Sequence, residues 1–227
     1  MHRRHFLRHG TLALGVSVGL SPLEVWAAPP KPRLTIKGNL LLDAKFVDLE
    51  TDGWGKGRGR WKVEKGEVTG EQIDPEPLYH AGISRGVQYD PVAGIIEGEV
   101  KFDGANACWI DIGGGGAFFM TPGRISFHND SSEMSKSPGV PALDNEIRQG
   151  KWHPFLVEYY DIQVAGERDG AELATEHSMF KQQRNGISFV VASDVKRGGG
   201  SASLRNLKIY KATPNPAWKK PKTPRRR

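Results

Sequence analysis

The sequence predicts an all-β domain of two packed antiparallel sheets, and three observations carry that prediction. The 227 residues include 28 glycines and 15 prolines, a turn-rich balance foreign to helical bundles and coiled coils. Between Leu34 and Ala212, apolar residues recur with period two far more often than with the helical period of about 3.6. Clusters of Gly, Pro, Asn and Asp interrupt this pattern at intervals of roughly ten residues, the rhythm of short strands joined by turns. A chain of this length can bury one large core. Its single cysteine, Cys108, excludes an intrachain disulfide, a zinc ribbon and a disulfide scaffold.

In chain order, residues 1–28 read as an export signal. A charged start, His2-Arg3-Arg4-His5, precedes an apolar stretch from Leu12 to Leu20 and small residues around Ala27, where cleavage is expected. The apolar run falls short of the ~20 residues that span a bilayer. The run Arg3-Arg4-His5-Phe6-Leu7-Arg8 resembles the twin-arginine type of bacterial signal, which implies an extracytoplasmic protein, periplasmic or secreted.

Residues 29–44 read as an N-terminal linker and first strand region, and residues 45–212 as the β-domain. Strands are expected at 46–49, 61–64, 67–70, 78–84, 95–102, 107–112, 117–120, 124–128, 154–160, 162–165, 172–176, 187–192 and 204–211. The 95–102 segment shows the logic: Ile96, Val100 and Phe102 alternate with Glu97, Glu99 and Lys101, so one face is apolar and the other charged. Glu64-Lys65-Gly66-Glu67 and Asp169-Gly170 are expected as tight hairpin turns. The polar stretch 129–150, with Pro138 and Pro141, reads as a surface loop able to flank a site. Residues 213–227 read as a basic, disordered tail.

The formal net charge of +6 is carried by the ends. Arg3, Arg4 and Arg8 against Glu24 make the signal basic, and Lys219, Lys220, Lys222, Arg225, Arg226 and Arg227 make the tail so, leaving the body mildly acidic. A nucleic-acid groove is therefore not expected. Only the tail suits anionic envelope components.

Several segments carry a family resemblance. Trp61-Lys62-Val63-Glu64-Lys65-Gly66-Glu67-Val68-Thr69-Gly70 resembles the opening W-x-V-x-x-G-x-L-x-G hairpin of the 3-keto-disaccharide hydrolase domain family. Gly150-Lys151-Trp152 with the following strand, Gly186-Ile187-Ser188-Phe189-Val190, and Leu204-Arg205-Asn206-Leu207-Lys208-Ile209 resemble its later strands in the same order. The resemblance implies a concanavalin A-like β-jelly-roll sandwich and a carbohydrate ligand. At Asn106-Ala107-Cys108-Trp109-Ile110-Asp111 the chain departs from the family's N-S-G-I-x-x-R, lacking the Ser-Gly pair and the arginine. The end Arg205-Asn206-Leu207, continuing to Pro214-Asn215-Pro216-Ala217-Trp218, is closer to a branch of exported planctomycete-type proteins that looks non-enzymatic.

Five residues are candidates for ligand binding. Glu97 and Glu99, two apart on one strand face, have the spacing of paired glycosidase carboxylates, but Phe102 stands where a jelly-roll glucanase carries its third acid. Trp109 and Asp111 share one side of their strand, an aromatic ring beside a hydrogen-bonding acid. His128 ends a strand at the mouth of the long loop, where a base could reach a cleft. No cofactor is expected; calcium is the cation that Asn129, Asp130 and Asp144 would suit. The histidines lack metal-site clustering, and no Ser-His-Asp order, P-loop or dinucleotide fingerprint is present. The leading reading is an exported domain that holds carbohydrate on the concave sheet. The alternatives are 3-keto-glycoside hydrolysis by β-elimination and a non-catalytic structural role in the envelope.

Overall fold

A computed structural model describes residues 29–75, 80–87, 93–112, 116–129, 149–181 and 185–219. Residues 1–28, expected as an export signal, most of the 129–150 segment with Asp130 and Asp144, and residues 220–227 lie outside the described residues. Among those described, no helix is long and apolar enough to cross a membrane.

Among the described residues, fourteen strands form two antiparallel sheets packed face to face, a β-jelly-roll sandwich of the concanavalin A-like class. They are β1 (Thr35–Asp43), β2 (Gly55–Lys56), β3 (Arg60–Glu64), β4 (Glu67–Glu71), β5 (Ala81–Gly86), β6 (Ala93–Asp103) and β7 (Ala107–Asp111). The second half supplies β8 (Gly116–Thr121), β9 (Arg124–Asn129), β10 (Trp152–Tyr160), β11 (Gln163–Arg168), β12 (Ala171–Glu176), β13 (Gly186–Ala192) and β14 (Ser201–Pro214). One sheet runs β12-β11-β10-β6-β14-β4-β3, with β1 also on β14; the other runs β2-β5-β13-β7-β8-β9.

The period-two pattern becomes the core directly. Ile96, Val100 and Phe102 of β6 point inward against Cys108 and Ile110 of β7 and Phe189 and Val191 of β13, all buried in one cluster. The alternate residues of both sheets point outward. The β3–β4 turn at Lys65-Gly66 has φ of 50° and 81°, and the β11–β12 turn at Asp169-Gly170 has 52° and 78°. Both fit two-residue hairpins whose twist matches the strands.

Two elements differ from expectation. Residues 46–49 form a loop rather than a strand, because the Asp52 carboxylate accepts from the amides of Val47 and Asp48 and folds the segment onto itself. Phe46 and Leu49 are still buried, covering the core beside Trp54. The second element is Arg168, which lies on the inward side of β11 and is 1% exposed. Its guanidinium donates to the Thr121 carbonyl at 2.9 Å and stands 3.5 Å from Asp169, and burial lowers its pKa to about 10.

The segment 29–44 supplies β1, which pairs with the last stretch of β14 as far as Pro214. The first residues of the basic tail are held in place. The Asn215 amide donates to the Leu34 carbonyl, the Asn215 side chain donates to the Arg33 carbonyl, and the Trp218 amide donates to Asn215.

Candidate functional site

The five candidates do not meet on one face. Glu97 and Glu99 stand on the outer side of the eight-stranded sheet, whereas Trp109, Asp111 and His128 stand on the outer side of the six-stranded sheet. The whole core separates the two groups. Sequence alternation assigns each residue a side of its own strand and says nothing about which sheet that strand joins.

Glu97 and Glu99 are occupied by built-in partners. Glu97 is bridged by the Lys37 ammonium at 2.5 Å and accepts from the Tyr210 hydroxyl at 2.8 Å. Burial, and then this bond, push the Tyr210 hydroxyl up to about 12. Glu99 is held by the Arg205 guanidinium and accepts from the Asn206 side chain at 3.0 Å. Asn206 has φ of 53° where the β14–β6 register shifts between Arg205 and Lys208, so a bulge re-aims the side chain toward the glutamate. The Arg-Asn pair of the closing-strand motif is thus a clamp on Glu99. Trp152 completes this charged surface beneath Arg205 and Lys101, whose cationic groups lie 4.1 Å and 4.6 Å from its ring centre.

The six-stranded face is organised by cross-strand register. Trp109 of β7 pairs with Phe119 of β8 and Val190 of β13, and Phe119 pairs with Ser126 of β9. One step along the strands, His128, Ala117, Asp111, Ser188 and Ser84 form a second row across β9, β8, β7, β13 and β5. Only a methyl group therefore stands between the backbones carrying His128 and Asp111, which are two strand spacings or about 10 Å apart.

Above this sheet the rings form a continuous row. His80 meets Trp109 edge-on at 5.0 Å, Trp109 stacks on Phe119 at 5.3 Å, and Phe119 lies 4.5 Å from His128. Phe119 thus covers one face of Trp109, so a sugar cannot stack there. Beside the rings, the small side chain of Ala117 leaves a low trough between His128 and Asp111, and Ser188 and Ser84 continue the row beyond Asp111. The His128 Nε2 is 2.7 Å from the Ser126 hydroxyl. Sequence reading missed Phe119, Ser126 and His80, although the alternation of 117, 119 and 121 and of 124, 126 and 128 contains the signal for the first two.

Burial lowers the His128 pKa, helped by the nearby positive charge of Arg124, and burial lowers that of His80. A histidine with a depressed folded pKa contributes stability that is fully present above its unfolded value of about 6.5 and is lost as pH falls through the folded value. His128→Phe is therefore expected to narrow the difference in unfolding free energy between about pH 7.5 and about pH 5. Denaturant melts at the two pH values check this; an undiminished difference refutes it.

Among the described residues, no group of three or more His, Cys, Asp or Glu side chains could hold a metal ion.

No protein-family model matches the chain, and no curated protein sequence does. Solved structures do match its fold. A Crh5 transglycosylase in complex with NAG aligns with a TM-score of 0.55 at 13% identity, over 81% of this chain and 89% of that one. A sialidase aligns with a TM-score of 0.53 at 13% identity over 78% of this chain, which spans only 18% of the sialidase. A structure reported for endo-acting O-glycanases of the human gut microbiota aligns at 0.52 and 13% identity, over 77% of this chain and all of that one. At such identities the likeness is one of fold.

Proposed function

We propose that this protein is an exported carbohydrate-binding jelly-roll domain whose ligand lies on the outer face of the six-stranded sheet. The observation that carries this reading is the two-row arrangement: a wall of aromatic rings beside a low trough flanked by His128 and Asp111. Hydroxyl groups in the trough can reach the Asp111 carboxyl, the Ser126 hydroxyl and the His128 ring, while the edges of Trp109 and Phe119 supply apolar contact. The ordered strand motifs and the carbohydrate-active fold relatives support the same ligand class. Twin-arginine export fits Arg3 and Arg4, and changing both to lysine is expected to leave a fused reporter in the cytoplasm.

A glycan array followed by calorimetry tests the binding reading. Trp109→Ala is expected to weaken the best glycan at least about tenfold, or 1.4 kcal/mol. An array without hits, or a Trp109→Ala variant that binds unchanged, refutes it.

A second reading, cleavage of 3-keto-glycosides, is favoured by the lowered pKa of His128, which keeps a neutral base at the trough. Such a base takes the proton on the carbon between the ketone and the anomeric carbon. The anomeric C–O bond then breaks, and the leaving sugar departs with a proton. Release of that sugar from a 3-keto-disaccharide, abolished in His128→Ala, separates catalysis from binding alone.

A further inference from the structure

A pocket lies on the opposite side of the molecule, on the outer face of the eight-stranded sheet where β10, β11 and β12 meet. Its floor is made of Leu156, Ala165, Gly166 and Ala174, and its walls include Arg33, Glu167 and Trp218. Because Leu156 pairs with Glu167, and Glu167 with Glu172, the register places both glutamates side by side at the rim. The Arg33 guanidinium bonds Glu172 and stands 3.7 Å from Glu167.

The Glu167 side chain is only 14% exposed, yet its carboxyl accepts no hydrogen bond among the described residues. Burial raises its pKa, Arg33 opposes the rise, and Glu172 and Glu158 reinforce it. This largely buried carboxyl is ion-paired with Arg33 and lines the pocket. Trp218 is held at the rim by a local turn: Asn215 fastens to Arg33 and Leu34, the Ala217 amide donates to the Asn215 side chain, and the Trp218 amide donates to its carbonyl.

Charge selects the ligand class. Arg33 and Lys31 disfavour a further cation, and Glu158, Glu167 and Glu172 disfavour an anion. A neutral hydroxyl both donates and accepts, so one sugar hydroxyl can give its hydrogen to Glu167 while taking one from Arg33. Ala165 and Ala174 keep the floor low enough for the edge of a ring to approach the sheet, and an indole at the rim offers it apolar surface. We propose that this pocket is a second carbohydrate site, taking the hydroxyl-bearing edge of one sugar residue beside Trp218 and the Arg33–Glu167 pair. It is separate from the six-stranded face and does not depend on that face binding sugar.

The test uses the full chain labelled with nitrogen-15, following the tryptophan indole signals with Trp218→Phe to assign one of them. The methyl glycosides of glucose, galactose, mannose and N-acetylglucosamine are titrated separately, with methylammonium chloride as the cationic control. A saturable shift of the Trp218 signal with at least one glycoside is expected. Glu167→Ala should weaken that glycoside about tenfold, as loss of a charged hydrogen-bond partner does. Should Glu167→Ala not fold, Trp218→Ala replaces it, with saturation transfer to the glycoside as readout. The transfer should vanish in Trp218→Ala and survive in Trp109→Ala, which also keeps this outcome distinct from failure of the six-stranded face. A Trp218 signal that no glycoside moves, or that only methylammonium moves, overturns the proposal.

Discussion

Glu158→Ala is expected to lower the unfolding free energy by about 2–3 kcal/mol, the cost of leaving buried donors without their acceptor. Glu158 is 3% exposed on β10, and its carboxyl oxygens accept from the Arg33 amide, the Thr35 amide and the Thr35 hydroxyl, each at 2.8 Å. These bonds hold the start of β1 against the sheet at the point where it meets Pro214, the end of β14. Alanine leaves three donors without an acceptor in a site that water enters poorly. Glu158→Gln keeps one oxygen and should destabilise less, because only one side of the amide can accept. Hydrogen exchange should show the amides of β1 losing protection before those of β6. A Glu158→Ala variant whose denaturation midpoint and β1 exchange match the parent protein would remove the latch from this account.

Gly200→Ala is the second large effect, expected at about 3 kcal/mol, the upper end of ordinary overpacking. A β-carbon on Gly200 would stand 2.1 Å from the carbonyl carbon of Gly104, 2.4 Å from its oxygen and 2.5 Å from the Ala105 nitrogen. These are backbone atoms, fixed by the bridge between Gly104 and Ser201 and by the Gln149 side chain accepting from the Gly104 amide. No rotamer change can relieve the contact. Gly123→Ala is the control: nothing lies within 4 Å of its β-carbon, so its effect should stay within about 0.5 kcal/mol. Equal denaturation midpoints for the two variants would contradict the close approach.

Much of this fold was legible because strand burial is a local property. The alternation of Ile96, Val100 and Phe102 with Glu97, Glu99 and Lys101 needs only the pleat to be read correctly, and the Lys65-Gly66 and Asp169-Gly170 turns need only two residues with positive φ. The loop at 46–49 escaped because Asp52, several residues away, gathers its amides. Arg168 escaped because a buried arginine is unusual and its carbonyl partner, Thr121, lies on another sheet.

The candidate site divided along the same line. Trp109 with Asp111 was visible within one strand, since residues two apart share a side. The meeting of Trp109, Phe119 and His128 required the register of β7, β8 and β9, and the separation of Glu97 and Glu99 from them required the sheet order. The sequence by itself determined the all-β class, most strand positions and the inward or outward side of each residue, because the period of a strand is written in consecutive side chains. Tertiary structure alone decided which outward residues are neighbours. It also decided that Arg205 and Asn206 would occupy Glu99, and that Arg33, Glu167 and Trp218 would line one pocket. Those relations join residues far apart in the chain, through hydrogen-bonded pairings that no local pattern encodes.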